Sequence, residues 1–437
     1  MSSEKLPKGY KQTEVGVIPE DWELDTIGQS MRLINGRAFK PSDWTDQGTP
    51  IIRIQNLNDS NASFNYCSDA TYIEDKHRLE VGDLVFAWSG TKGSSFGARI
   101  WPGPCGVLNQ HIFKIIANKD KLTHQYAFLT LLKVQEDIEK HAHGFKASFV
   151  HVKKADLVGV QLAVPPIKEQ KAIATTLSDT DALIEALEQL IAKKRHIKQG
   201  TMQELLTGKR RLPGFGEGKG YKQTEIGVIP EDWDLENFGN LVDYTKGYAF
   251  KSEEYTDCGV RIVRVSDTTF DTINNDNAVF INANSVYEYR KWKLREYDLI
   301  FSTVGSKPPM YDSLVGKAIL VTQQHAGSLL NQNAVLIRAK RYSAETQCFL
   351  LNHFRTERYI NYIEIIFRGN ANQASITLED LFKFKLPLPS SEEQEAIATI
   401  LSDMDTEIAT LEAKLIKTRQ LKQGMMHNLL TGRIRLV

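Results

Sequence analysis

Four places along the chain carry residue types at spacings that chemistry could use. Gly214-x-x-x-Gly218-Lys219 has the outline of a phosphate-cradling loop, in which backbone amides and a lysine hold a nucleotide. That loop needs four spacer residues and a Ser or Thr after the lysine to hold magnesium; here there are three spacers, and Gly220 follows. The alternating glycines at 214, 216, 218 and 220 also lack the preceding strand that a dinucleotide or S-adenosylmethionine site needs, so the stretch reads as a linker. Lys307-Pro308-Pro309-Met310 has the outline of an amino-methyltransferase motif, which puts a hydrogen-bond acceptor first and a base-stacking aromatic fourth. Lysine and methionine supply neither. His141-x-His143 with His151 could be drawn as a metal site, yet no cysteine or carboxylate completes it. Cys67, Cys105, Cys258 and Cys348 are scattered without a CxxC pair, which suggests neither a disulfide framework nor zinc. No HExxH or GxSxG is present. The expectation is a chain with no catalytic residues, no metal and no cofactor of its own.

Composition bounds the rest. A chain of 437 residues should hold two to four domains, and 41% hydrophobic with 25% charged residues is the balance of a soluble globular protein. No apolar run approaches the roughly 18 residues of a membrane span, and MSSEKLPKGYK lacks the apolar stretch of a secretory signal. A reduced, cytoplasmic setting is expected. The 54 basic residues balance 54 acidic ones, so an excess of phosphate-neutralising charge is missing, although charge can be segregated by face or supplied by partners.

The elements that would position any site are set by an internal repeat. Residues 9–24, GYKQTEVGVIPEDWEL, return at 220–235 as GYKQTEIGVIPEDWDL, with 14 of 16 identical. Residues 170–212 align without gaps to 394–436, with 24 of 43 identical. The offset grows from 211 to 224, so the second globular half has gained about thirteen residues. The intervening 25–164 and 236–387 share only short anchors. These are Gly36-x-Ala38-Phe39-Lys40 with Gly247-x-Ala249-Phe250-Lys251, Asp83-Leu84-Val85-Phe86 with Asp298-Leu299-Ile300-Phe301, and Asn109-Gln110 with Asn331-Gln332. Alike frames around unlike interiors suggest one contact made twice and two different things bound.

The repeated segments read as long helices. Ile173, Leu177, Ile184, Leu187 and Ile191 fall at 3–4 spacing with Thr180 filling one gap; Ile397, Leu401, Met404, Ile408, Leu411 and Leu415 do so without a break. Prolines 165, 166, 387 and 389 stand just outside the starts, and Ser391-x-x-Gln394 fits a capping box. Leu-Leu-Thr-Gly closes each run, with Gly208 and Gly432 as left-handed C-caps. Runs of about 36 residues would be roughly 54 Å long, with Gly200 and Gly424 as points of kinking or breakage. Chain order makes the two helices antiparallel if their stripes meet, with the globular units at opposite ends and a pseudo-twofold axis between them. The units themselves read as mixed α/β (α+β): strand-like runs at Ile51–Ile54, Leu84–Trp88 and Ile112–Ile116, and a helix over Leu122–His141. The domain reading is 1–165, a helix at 166–212, a linker and second unit at 213–387, and a helix at 388–437.

The GYKxTE(V/I)GxIPxDW opening, the Pro166-to-Gln170 and Pro389-to-Gln394 helix starts and the LLTG-basic endings together resemble specificity subunits of type I restriction-modification systems. The resemblance covers essentially the whole chain. It implies two target-recognition domains, each reading half of a split DNA site, and helices that set the gap and dock two methyltransferase (M) subunits carrying S-adenosylmethionine. An endonuclease/translocase (R) subunit, with ATP and Mg, would join them.

For the DNA-binding role, polar loops at equivalent places in both copies are the candidates, since base edges are read by Arg, Lys, Asn and Gln while Ser and Thr mostly position on phosphate. One set is Ser89, Thr91 and Lys92 opposite Ser306 and Lys307; another is Lys146 and Ser148 opposite Arg368, Asn370, Asn372 and Gln373; the third is Arg37 and Lys40 matched by Tyr248 and Lys251. The basic runs 193–195 and 209–211 read as solvated helix faces or phosphate contacts. Competing readings are a recognition subunit of another restriction class, a two-headed protein-binding scaffold, and a free-standing nuclease or methyltransferase with an unrecognised site.

Overall fold

The computed structural model describes residues 6–59, 62–141, 149–307, 310–370 and 373–436. The chain divides into two compact units: Met1–Glu188 with Ala413–Val437, and Gln189–Glu412. Each unit is therefore built from one globular region and a stretch of each long helix.

Unit one has two four-stranded sheets. In the first the order is Gly97–Ile100, Leu84–Ala87, Ile112–Ala117, Met31–Asn35, all antiparallel. In the second it is Asn65–Cys67, Thr49–Ile52, Gly106–Leu108, Arg78–Leu79, with one parallel pair between Thr49–Ile52 and Gly106–Leu108. Leu84-Val85-Phe86-Ala87 is buried on both faces, which is why it reads as an unbroken apolar run rather than an alternation. Leu84 and Phe86 face a core with Tyr126, Ala127 and Leu131 of the helix His124–His141; Val85 and Ala87 face the second sheet through Ile52, Leu108 and Trp101.

Unit two repeats this topology. Ala318–Leu320, Leu299–Ser302, Ala334–Ala339 and Val242–Lys246 stand in the same order as their counterparts, and Val260–Val263 again pairs parallel with Leu329–Leu330. The short anchors are where the frames are tied. Asp83 and Asp298 each accept the backbone N–H three residues earlier (2.7 Å in both) and each meets a cation, Lys114 or Arg338, at 2.7 and 2.6 Å. Gly36 and Gly247 lie so close to the Asn109 and Asn331 carbonyl oxygens that a Cβ would fall within 2.0 and 1.9 Å of them.

The two long helices run Ile167–Leu206 and Ser391–Leu430, 40 residues each and so about 60 Å long. Both exceed the expected span and pass unbroken through Gly200 and Gly424, where the i→i−4 hydrogen bonds suffice to carry a residue of poor propensity. The cap of the second helix is Ser390, one residue before the expected Ser391: its hydroxyl accepts the Glu393 N–H at 3.3 Å. Gly208 and Gly432 end the helices at φ +68°, and N–H groups two residues on, from Arg210 and Ile434, bond back to the Glu204 and Asn428 carbonyls. Ile173, Leu177, Ile397 and Leu401 are sealed in the unit cores; Leu187, Ile191 and Ile408 are buried, and Ile184, Met404, Leu411 and Leu415 are half-buried.

Within unit two, Lys194, Arg195 and Lys198 of the first helix pair with Glu407, Glu412 and Asp405 of the second at 2.5–2.6 Å. Within unit one, Asp181 and Glu188 pair with Lys422 and Arg419 at 2.5 Å. In each unit the two helix segments thus run antiparallel, and most of the basic run at 193–195 is engaged with the other helix.

The identical opening motifs act as clamps on the helix ends. In unit one the Trp22 indole donates to Glu169 (3.0 Å), and Arg435, lying over the Trp22 ring, binds Glu169 and Asp21, both at 2.7 Å. In unit two the Trp233 indole donates to Glu393 (3.1 Å), while Arg211, over Trp233, binds Glu393 at 2.6 Å and Asp232 at 3.0 Å. Tyr10 and Tyr221 complete the clamps by donating to the Gly432 and Gly208 carbonyls at 3.1 and 3.3 Å. The tyrosine, aspartate and tryptophan of the repeated motif are therefore occupied in holding a helix end.

Candidate nucleic-acid interface

With the clamp side chains committed to structure, residues free to meet a partner are sought mainly where the two copies differ, together with the shared, exposed Lys40 and Lys251. In unit two the structure sets strands from two of the three candidate sets side by side; in unit one it describes the first set and the strand that follows the second. In unit one, Ser89–Thr91 pairs antiparallel with Phe149–His151, in register Phe149 to Thr91. The chain then reverses: Ser95 and Phe96 donate to the Thr91 carbonyl at 3.0 and 3.1 Å, and the Ser95 hydroxyl accepts the Thr91 N–H at 2.7 Å. This turn exposes Thr91 and Lys92, and Lys92 Nζ donates to the Glu139 carbonyl at 2.7 Å. Lys146 and Ser148 precede this strand in sequence but lie outside the described residues.

In unit two the counterpart is a three-stranded sheet, Val304–Gly305, Gln373–Ser375 and Arg368–Asn370. It places Lys307, exposed, beside the strands that carry Arg368, Asn370 and Gln373. Arg368 is exposed and pairs with Asp380 at 3.0 Å; Asn372 and the prolines of the Lys307–Met310 motif lie outside the described residues.

Two of the candidates are buried. Ser89 (8% exposed) is held in its strand, and Ser306 (6%) accepts a hydrogen bond from Ser313 at 2.9 Å, so neither hydroxyl lies open at the surface. Turn-like composition suggests loops; the pairing of Ser89 with the distant His151 has no local signal, whereas Ser306 is bridged to nearby Leu314.

The third set is partly committed as well. Arg37 donates to the Tyr72 carbonyl at 2.8 Å and lies over the Phe39 ring. Tyr248 packs among Phe250, Tyr289 and Trp292, with ring centroids 4.6–5.1 Å apart. Lys40 and Lys251 are exposed, and each begins a short 3₁₀ turn whose acid, Asp43 or Glu254, accepts the lysine's own backbone N–H. The Tyr289 hydroxyl also donates to Glu254, and burial adds to that bond in pushing the phenol up to about 12. Asn109 and Asn331 spend their side-chain oxygens on the next residue's N–H, at 2.9 and 2.8 Å, as suits residues both copies keep.

Sequence reasoning passed over the exposed aromatics beside these sites: Tyr72 (84% exposed), whose carbonyl Arg37 binds, and Phe149 (58%), beside Thr91. An exposed ring beside an arginine or lysine suits a nucleic-acid surface, but a lone aromatic in a polar stretch carries no periodicity that would reveal it.

Among the described residues no group of three or more His, Cys, Asp or Glu could hold a metal ion, and no helix is long and apolar enough to cross a membrane.

The family profile for the type I restriction modification DNA specificity domain matches residues 19–194 and 230–419. The chain is 27% identical to the type I restriction enzyme MjaVIII specificity subunit of Methanocaldococcus jannaschii over 433 residues, covering 98% of this chain and 96% of that one. It is 23% identical to the EcoBI specificity subunit of Escherichia coli, covering 95% and 87%. The crystal structure of a type I restriction-modification S subunit from M. genitalium shares the fold with a TM-score of 0.53 at 14% identity, covering 94% of this chain and 96% of that one.

Proposed function

The chain belongs to the type I restriction modification DNA specificity family, and on that premise we propose that it reads the two halves of one split, asymmetric DNA target, one half with each unit. Its curated relatives are specificity subunits, the recognition members of their enzymes and not the catalytic ones. The observation that carries the asymmetry is that one strand order and one clamp recur in both units, while the exposed loops differ in residue type. A common scaffold with unlike readers addresses unlike half-sites.

The residues assigned to the first half are Arg37, Lys40, Thr91 and Lys92, with Lys146 and Ser148. Those assigned to the second are Lys251, Lys307, Arg368, Asn370, Asn372 and Gln373, with Tyr248 at the edge of the set. The functional division is 1–165 and 213–387 as recognition domains and 166–212 and 388–437 as spacers, the helices setting the gap between half-sites. The repeated frame suits two copies of one partner, a methyltransferase subunit carrying S-adenosylmethionine; endonuclease/translocase subunits using ATP and Mg complete the complex, and this chain binds no cofactor. The complex acts in the cytoplasm on double-stranded DNA.

The test is to co-express the chain with its methyltransferase and map methylated adenines genome-wide. Methylation confined to a split, asymmetric motif supports the reading, and a continuous or palindromic motif rejects it. Lengthening both helices in register should widen the gap and leave both half-sites unchanged.

A further inference from the structure

A cavity of about 370 Å³ opens in unit two between the hairpin Tyr221–Pro230, the last turns of the first long helix, and the helices Ala344–His353 and Glu357–Ile366. Met202, Leu206, Ile229 and Pro387 give it apolar walls, and His353, Arg355 and Arg358 line the opposite side.

These three groups are short of partners. The Arg358 guanidinium lies over the Phe384 ring at 4.3 Å, its Nη2 is buried without a hydrogen-bond partner, and among the described residues no carboxylate pairs with it. Burial holds it down to about 10, below the ordinary value of 12.5. His353 is 1% exposed with Nε2 unpartnered, and burial together with Arg358 keeps the imidazole neutral, so it brings no second charge. Arg355 reaches two carboxylates, Asp271 at 3.2 Å and Asp405 at 3.9 Å, so its charge is matched, but its Nε is buried and unpaired. A buried donor left without an acceptor costs about 1–3 kcal/mol, and more when charged. Native structures rarely leave one so, and two arginine donors with a neutral histidine nitrogen, on residues that line one cavity, point to a polar partner from outside the chain.

Unit one provides an internal control. Its groove at the equivalent place, about 830 Å³, is lined by Val15, Ile18, Leu430 and Thr431 where unit two has Ile226, Ile229, Leu206 and Thr207. There Lys133 is matched by Asp137 at 2.5 Å. Among the described residues, the buried cation without a carboxylate partner is on the unit-two side of this comparison.

We propose that the unit-two cavity binds an oxyanion, a carboxylate or phosphate group carried on a small organic molecule, with Arg358 as its charge partner and Arg355 and His353 as supporting donors. The volume lies in the range of roughly 300–1,000 Å³ that small-ligand sites occupy, and the apolar walls suit the ligand's body.

The test is calorimetric titration of the full-length chain with sodium phosphate and with sodium benzoate at constant ionic strength. At least one should bind, and Arg358→Met should weaken that binding about tenfold or more, as loss of a charge-assisted hydrogen bond requires. Without ligand, the variant should melt no lower than the parent, because it removes an unpaired buried charge; should it fail to fold, Arg355→Gln carries the same comparison with a smaller loss. The site is overturned if neither probe binds the parent chain, or if the variants bind as tightly as the parent. It is equally overturned if Arg358→Met weakens DNA binding while neither probe binds, which would assign the guanidinium to the duplex backbone.

Discussion

Glu393 is 1% exposed, and Arg211 and the Trp233 indole converge on its carboxylate, as Arg435 and Trp22 do on that of Glu169. Removing one partner from a buried pair leaves the other charge stranded, at a cost of about 3–5 kcal/mol. Arg211→Ala should therefore lower stability by that order in denaturant unfolding; a loss under about 1 kcal/mol, the scale of an exposed pair, would demote the clamp to a surface contact. Lys317, 2% exposed, donates to the Thr268 and Asp312 carbonyls, and burial lowers it to about 8 from 10.5. Between pH 8 and 10.5 the unfolded chain holds this proton and the folded chain does not, so stability rises with pH across that window. In Lys317→Met that part of the slope should vanish; equal slopes in parent and variant would contradict the assignment. At this scale the sequence revealed which residues recur but not what they grip. Asp21 and Arg435 meet across 414 positions, and no spacing rule joins residues that far apart.

The long helices were the most legible elements, because 3–4 spacing of apolar residues and a terminal Leu-Leu-Thr-Gly are local signals. Their extra length was less so, since the first and last turns are fixed by tertiary partners: Gln170 spans from the Thr123 N–H to the Pro165 carbonyl. Gly200 and Gly424 suggest a kink or a break, yet both sit in unbroken helix with nothing within 4 Å of a would-be Cβ. Replacing either by Ala should stabilise the chain by about 0.5–1 kcal/mol through the unfolded state. A destabilised Gly200→Ala in thermal or denaturant melts would mean that the bare backbone serves a partner or a bend. The burial of Ser89 was hidden for the opposite reason: its turn-rich surroundings are real, but a strand distant in sequence pairs with it, while Ser306 is covered by the nearby Ser313-Leu314.

Across the molecule, duplication explains why so much function could be read from one sequence. The two copies act as each other's control, separating what holds the frame (Trp22 and Trp233, Gly208 and Gly432) from what differs between the heads. Individual base readers stayed out of reach, because their identity depends on loop geometry and on the shape of the DNA as much as on residue type. The central claim is that the two interiors act independently on one common frame. Its most direct measurement replaces residues 25–164 with the corresponding segment of another recognition domain, co-expresses the chimaera with the methyltransferase and maps methylated adenines across the genome. One half-site should change while the other half and the gap length persist. An unaltered motif, or a change in both halves, would contradict the account.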